Sequence, residues 1–126
     1  MGKRFLIDTN VVIDFSHGIF SENSKKFVAA VLNKEPIISA ITKIELLSFS
    51  IVPSQIESFV RYASIIVVND SIIEKTIEIR KLYRIKLPDA IIAATALVHN
   101  LALLTRNVND FRRIEFLNII NPHDCS

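Results

Sequence analysis

The chain is poor in glycine and cysteine and contains no tryptophan. Gly2 and Gly18 are its only glycines, which excludes a P-loop and a GxGxxG dinucleotide-binding turn, because each needs several glycines in one loop. The single cysteine, Cys125, cannot form an internal disulfide, in agreement with a reducing compartment. No apolar run approaches the roughly 20 residues of a membrane span, and the first residues lead into a strand pattern instead of a signal-peptide core. We therefore expect a cytoplasmic protein with no membrane segment.

Apolar residues make up half of the 126 residues, enough for one domain with its own core. Five short runs rich in isoleucine and valine predict strands, and they lack the polar alternation of a half-exposed strand. Such continuous apolarity is typical of parallel strands that are covered on both faces. The predicted strands are Arg4 to Ile7, Pro36 to Ser39, Ile65 to Val68, Ala102 to Leu104 and Asn118 to Ile120.

Helical patterns fill most of the segments between these strands. They cover Lys25 to Leu32, Ser54 to Tyr62, Ser71 to Tyr83 and Pro88 to Asn100. The third begins with a capping box, Ser71 to Glu74, and the fourth is apolar nearly all round, so we expect it to be central. Alternating strands and helices predict an α/β fold with three α/β/α layers around a mostly parallel five-stranded sheet. No linker or repeat divides the chain, so residues 1–126 are expected to form one domain.

Acidic residues fall on one predicted edge of this sheet. Loops and helix N-termini converge beyond the carboxyl ends of parallel strands, where functional sites of such folds lie. Asp8 ends the first strand, and Glu45 lies in the first two turns of a helix expected to start near Ala40 or Ile41. Asp89 and Asp110 follow in the first turn of the alanine-rich helix and after the strand Ala102 to Leu104. Each acid alone has an ordinary alternative role as a cap or a helix-dipole partner.

Four of only 13 acidic residues on one edge favour a shared site over coincidence. Carboxylates that lie close together raise each other's pKa unless a cation neutralises them. Oxygen ligands without histidine or cysteine select Mg²⁺ or Mn²⁺ rather than zinc. Such ions can activate a water and stabilise the leaving oxygen of a phosphodiester, so we expect a nucleic acid substrate. The other nine acidic residues are outnumbered by 15 lysines and arginines, which also favours a polyanionic partner.

Neighbours of the acids give weaker signals. Thr9 and Thr105 are candidates for hydrogen bonds to a metal-bound water or a phosphate, although both are also ordinary strand-end threonines. Arg106 and Lys43 are candidates for phosphate contacts, and Asp14 is expected to lie outside the cluster. Of the three histidines, His17 and His123 are expected to be solvated, and His99 to pack against or cap its helix.

Four segments in this order resemble the PIN domain, and within it the toxin ribonucleases of the VapBC type. They are Leu6 to Asp14, Ser39 to Leu47, Leu87 to Ala96 and Leu103 to Phe111, and Asn118 to Pro122 also fits. The resemblance implies a Mg²⁺- or Mn²⁺-dependent endoribonuclease with Asp8, Glu45 and Asp89 as metal ligands and Asp110 as the fourth acid. It further implies a homodimer, an RNA substrate and inhibition by a cognate antitoxin.

Two alternatives remain open at this point. One is a catalytically silent RNA-binding or antitoxin-binding module with the same fold, although clustered negative charge would not help such a protein. The other is a haloacid dehalogenase-like phosphatase, in which Asn10 would replace the second aspartate. Self-association is expected independently, because the two helices between Ser54 and Tyr83 carry more apolar residues than the sheet needs: Phe59, Tyr62, Ile72, Ile79 and Tyr83.

Overall fold

The computed structural model describes residues 4–125 of the chain. Within them the strands are β1 (Phe5–Ile7), β2 (Ile37–Ser39), β3 (Ser64–Ile66), β4 (Ala102–Leu104) and β5 (Ile119–Ile120). They form one sheet in the order β3-β2-β1-β4-β5, and every neighbouring pair is parallel. The three-layer α/β/α prediction is confirmed, and the sheet is parallel throughout.

Seven α-helices lie around this sheet in the described residues. They are α1 (Thr9–Ser16), α2 (Glu22–Asn33), α3 (Ala40–Leu47), α4 (Ser54–Tyr62), α5 (Asp70–Leu82), α6 (Leu87–Val98) and α7 (Val108–Phe111), followed by a 3₁₀ turn at Pro122–Cys125. Helices α1 and α7 were not predicted from the sequence. Between residues 4 and 125, no helix combines the length and the apolarity that a bilayer crossing demands.

Successive residues of the strands pack against opposite helical layers. Leu6 lies in a buried cluster with residues of α5, α6 and α7, and Ile7 lies in a second cluster with residues of α1, α2, α3 and α4. Because both faces are covered, the strands show no polar alternation. Helix α6 is central as expected, since Ala90, Ala93 and Ala94 are fully buried.

Several predicted boundaries differ from the observed ones, for example at the start of α2, which begins at Glu22 and not at Lys25, and two of the differences have a clear physical cause. Strand β3 ends at Ile66 because only Ser64 to Ile66 pair with β2, so Val67 and Val68 lie beyond the sheet and are exposed. Helix α5 begins at Asp70, and the side chain of Asn69 accepts a hydrogen bond from the amide of Ile72 at 3.0 Å. The predicted Ser71 capping box is therefore replaced by an asparagine cap two residues earlier.

Candidate active site

Asp8 lies at the carboxyl end of the central strand β1 and caps α1. Its Oδ1 accepts a hydrogen bond from the amide of Thr9 at 2.8 Å. Its Oδ2 accepts bonds from the Thr105 hydroxyl at 2.8 Å and from Asn10 Nδ2 at 3.1 Å. The residue is only 5% exposed. These bonds fix the orientation of a carboxylate that is nearly shielded from water.

Asn10 and Thr105 join the loop after β4 to the start of α1. Asn10 Nδ2 also donates to Thr105 Oγ1 at 3.2 Å, and Asn10 Oδ1 accepts from the amide of Arg106 at 2.9 Å. Thr105 Oγ1 accepts a further bond from the amide of Asn107 at 3.0 Å. Thr105 therefore positions Asp8 through its hydroxyl. The contacts of Asn10 with Asp8 and Thr105 were not predicted from the sequence, because no local pattern shows that Asn10 reaches a loop 95 residues away.

Glu45 lies in the second turn of α3, which begins at Ala40 as predicted. Ser39 caps this helix by accepting a bond from the amide of Thr42 at 3.1 Å. The Thr9 hydroxyl donates to Glu45 Oε1 and lies 3.3 Å from Thr42 Oγ1. Thr9 therefore connects the residue next to Asp8 with the second acid.

Asp89 and Asp110 occupy the first turns of α6 and α7. Both line an open pocket of about 480 Å³ at the junction of α5 and α6. Asp89 is half-buried, and Asp110 is exposed. A carboxylate in the first turn of a helix is favoured by the positive end of the helix dipole, which suits the position of Asp89 at the start of the 12-residue helix α6.

The four acids interact electrostatically. Burial is the largest cause of the raised pKa of Asp89, and the charges of Asp8, Asp110 and Glu45 raise that pKa further, while Lys86 lowers it. Burial likewise raises the pKa of Asp8, and the charge of Glu45 adds to this, against the hydrogen bonds that Asp8 accepts. Both shifts disfavour the ionised forms, and a bound cation would reverse that preference.

The acids do not form a ready-made ligand cage. Among residues 4–125, no three His, Cys, Asp or Glu side chains come close enough together to hold a metal ion as they stand. Glu45 is turned toward Thr9, and the exposed side chain of Asp110 makes no hydrogen bond in this part of the chain. Repulsion between like charges favours such separation, and the exposed side chains of Glu45 and Asp110 have the rotational freedom to approach a cation.

Asp14 forms a second, buried polar centre behind the acids, which the sequence analysis missed. The residue is 3% exposed. Arg106 Nη1 donates to its two oxygens at 2.8 and 3.0 Å, and His123 Nε2 lies 2.9 Å from Oδ2. The His123 ring stacks on Phe20 with centroids 4.3 Å apart. His123 was expected to be solvated, but it lies in the C-terminal turn and packs against Phe20 and the Asp14 side chain of α1.

The other basic candidates lie at the surface. His17 is exposed, as expected, and the exposed His99 ends α6 by donating its amide hydrogen to the Thr95 carbonyl at 3.1 Å. Lys43 is exposed on α3. Arg106 keeps 49% of its side chain exposed despite its bond to Asp14, so part of its guanidinium faces the solvent beside the acids.

Comparison with known proteins agrees with this architecture. The family model of the PIN domain matches residues 5–117. A protein named Ribonuclease VapC1 from Rickettsia felis is 29% identical, with 91% of this chain and 93% of the relative covered. A toxin-antitoxin complex from Klebsiella pneumoniae contains a chain that is 30% identical, with a TM-score of 0.75 and coverage of 95% and 98%. DNA-bound VapBC from Salmonella typhimurium gives a TM-score of 0.77 at 23% identity, with coverage of 96% and 99%.

Proposed function

The chain belongs to the PIN domain family, and from this premise we propose that it is a Mg²⁺- or Mn²⁺-dependent endoribonuclease. The observation that carries the proposal is that Asp89 is partly buried and lies close enough to Asp8, Asp110 and Glu45 for their charges to raise its pKa beyond the effect of burial. Four acids from four segments share one edge of the sheet, where their repulsion lowers stability. A bound cation would neutralise this repulsion, so the cluster of acids supports a cation-binding site. The match to the PIN domain argues against the haloacid dehalogenase-like phosphatase. Asn10, which stands where such a phosphatase would have its second aspartate, instead donates a hydrogen bond to Asp8.

The donor set fits a hard cation. Asp8, Glu45, Asp89 and Asp110 offer carboxylate oxygens, and the Thr9 hydroxyl adds another oxygen beside them. Oxygen donors of this kind suit Mg²⁺ and Mn²⁺. When bound, such an ion supplies a Lewis acid that lowers the pKa of a water and neutralises charge on the phosphodiester.

The remaining residues of the site would orient these acids and the RNA. Thr105 and Asn10 hold the Asp8 carboxylate in one orientation, and Thr9 holds Glu45. The solvent-facing part of the Arg106 guanidinium would bind a phosphate of the substrate, because guanidinium groups suit phosphate oxygens. We further propose that this activity is cytoplasmic.

We expect the purified protein to cleave RNA with Mg²⁺ or Mn²⁺ and to stop when EDTA is added. Asp89→Asn should reduce cleavage to background, because it removes a charged ligand at almost constant size. Glu57→Gln on α4 is the matched control, since Glu57 is exposed and pairs only with Arg61 in the described residues, and it should cleave like the wild type. Gel analysis of a labelled RNA measures the products. If RNA is still cleaved by the wild type in EDTA and by the Asp89→Asn protein, the cleavage comes from a contaminating nuclease. That result would favour the catalytically silent binding module.

We also propose that the enzyme is the toxin of a type II toxin-antitoxin pair. The support is the similarity of the whole chain to chains solved as toxin-antitoxin or VapBC complexes. A cognate antitoxin would suppress cleavage by covering the acidic edge. The neighbouring reading frames test the biological role: a small antitoxin gene beside this one is expected, and its absence would favour an RNA-processing nuclease.

A homodimer is the assembly we propose for the free protein. Of the residues expected to mediate it, Ile72 and Ile79 are buried in the monomer core, so that part of the prediction was wrong. Tyr62 on α4 and Ile73 and Ile77 on α5 are 82%, 45% and 51% exposed. Burying such side chains favours association.

Light scattering should therefore report a dimer at micromolar concentration. The double change Ile73→Lys and Ile77→Lys should shift the mass to that of a monomer, because each lysine would place a charge in the interface. Ile51→Lys is the control, because Ile51 is 86% exposed in the loop between α3 and α4. A monomeric wild type, or a double variant that remains dimeric, would remove this surface from the assembly.

A further inference from the structure

A concentration of positive charge lies at the junction of α5 and α6, beside two of the acids. Arg80, Arg84, Lys86 and Arg113 line the same pocket of about 480 Å³ as Asp89 and Asp110. We call these four residues the α5–α6 basic surface. In residues 4–125 none of the four forms an ion pair, since the pairs there join other residues. The charge of Lys86 lowers the pKa of Asp89, but among the described residues no carboxylate lies within ion-pair distance of any of the four.

Structural roles account for only part of this charge. Arg80 lies in the last turn of α5, where a cation suits the negative end of the helix dipole. Arg113 Nη2 donates to the carbonyl of Arg84 at 3.3 Å, which fastens the segment after α7 to the end of α5. Neither role needs Arg84 or Lys86 to be charged, and neither explains why four cations face one opening. A polyanion would use all four.

An exposed aromatic residue lies in the segment fastened to this surface. Phe116 is 93% exposed, and its backbone has a φ of 68°. The amide of the preceding residue, Glu115, donates to the Tyr83 hydroxyl oxygen at 3.3 Å, which holds the segment against the end of α5. A positive φ is costly for a bulky residue, and strained residues of this kind concentrate at binding and active sites. Packing does not explain this ring, because it contacts mostly solvent.

We propose that the α5–α6 basic surface and Phe116 form the path by which single-stranded RNA reaches the acids. Phosphates would contact Arg80, Arg84 and Arg113, and an unstacked base would lie on the Phe116 ring. A basic groove combined with an aromatic platform is the usual means of binding single strands. A duplex has no free base face for the ring, so the surface selects a single strand. The inference rests on the proposed function and adds the direction from which the substrate arrives.

Binding is measured without hydrolysis, so that it is independent of catalysis. The probe is a labelled oligouridylate of roughly 12 nucleotides, followed by fluorescence anisotropy in EDTA with the Glu45→Gln protein. The triple change Arg80→Gln, Arg84→Gln and Arg113→Gln should weaken binding by about tenfold or more near 0.1 M salt. It should also reduce the slope of log affinity against log salt by about 2, because each lost phosphate contact removes roughly 0.7. Changing Lys25, Lys26 and Lys34 of the α2 region to glutamine removes the same charge elsewhere and should leave the slope unchanged.

Phe116→Ala provides a separate readout that does not disturb the Arg113 contact. It should weaken binding by roughly tenfold with an unchanged salt slope, because a stacked base carries no phosphate charge. Ile51→Ala, which removes another highly exposed apolar side chain, is its control. An unchanged affinity for Phe116→Ala, together with equally tight binding of a polyglutamate of similar charge, would overturn the proposal in favour of an acidic peptide partner. A triple variant with wild-type affinity and slope would overturn it as well.

Different results would contradict the nuclease assignment and the RNA path. If RNA binding requires these residues but no cation promotes cleavage, the RNA path stands and the nuclease assignment falls. If cleavage occurs normally while neither set of substitutions alters binding, the nuclease assignment stands and this path is wrong.

Discussion

Replacing Asp14 by alanine should lower the free energy of unfolding by about 2–4 kcal/mol. The change removes a buried acceptor that joins α1 to the loop after β4 and to the C-terminal turn. The loss should be smaller than that for a fully buried ion pair, because the Arg106 side chain is 49% exposed and can be solvated when its partner is lost. Urea unfolding followed by circular dichroism measures the loss.

Asp124→Ala is the matched control for this substitution. Asp124 is exposed in the same C-terminal turn, and its change should cost less than about 0.5 kcal/mol. Arg106→Lys tests the same centre from its other side: it keeps a positive charge but shortens the reach to Asp14. An Asp14→Ala protein as stable as Asp124→Ala would show that the contacts of Asp14 with Arg106 and His123 add nothing to the fold.

Asp89→Asn should raise the stability of the metal-free protein, in contrast to most substitutions, which lower it. The pKa of Asp89 is raised by burial and by three neighbouring acids, so the ionised side chain costs stability in the fold. That cost is absent below the ordinary pKa of 3.8, grows as the pH rises through the raised pKa of the folded state, and is complete above it. Asparagine resembles the protonated form, so its advantage should be present at neutral pH and vanish below pH 3.8.

Urea unfolding of the wild type and Asp89→Asn across the acid range measures this difference. Asp89 suits this test better than Asp8, because Asp8 accepts three hydrogen bonds that a substitution would disturb. An asparagine at position 8 would point an amide donor at the donors of Asn10 or Thr105. A variant that is less stable than the wild type at neutral pH would mean that Asp89 acts mainly on the dipole of α6.

The edge on which the acids meet could be predicted from the sequence because it depends on strand direction. Asp8 directly follows a strand, and Glu45 and Asp89 lie early in helices, so a parallel sheet brings them together whatever the details of packing. Helix α1 was missed because the segment after Asp8 has turn-forming Thr9 and Asn10 at its start. The end of β3 was misplaced because Val67 and Val68 have the composition of a strand, although β2 offers them no partners.

The interactions that hold the acids in place could not be predicted in the same way. Thr105 bonds to Asp8 across 97 residues, and His123 reaches Asp14 across 109. No local pattern encodes such contacts, since Asn10 and Thr105 look like ordinary strand-end residues and His123 like a polar residue near the terminus. The charge excess was visible in the composition, but its concentration beside Asp89 depends on how the ends of α5 and α7 come together.

The stability of the protein in Mn²⁺ tests most directly the claim that the acids form one cation site. At a Mn²⁺ concentration of about 100 times the dissociation constant, binding to the folded state alone would add roughly 2.7 kcal/mol. Scanning calorimetry of the wild type should show this increase, and Asp89→Asn, already relieved of repulsion, should gain little. A wild-type transition that Mn²⁺ and Mg²⁺ leave unmoved, or an equal gain in Asp89→Asn, would contradict the account and return Asp8, Glu45 and Asp89 to the role of helix caps and dipole partners.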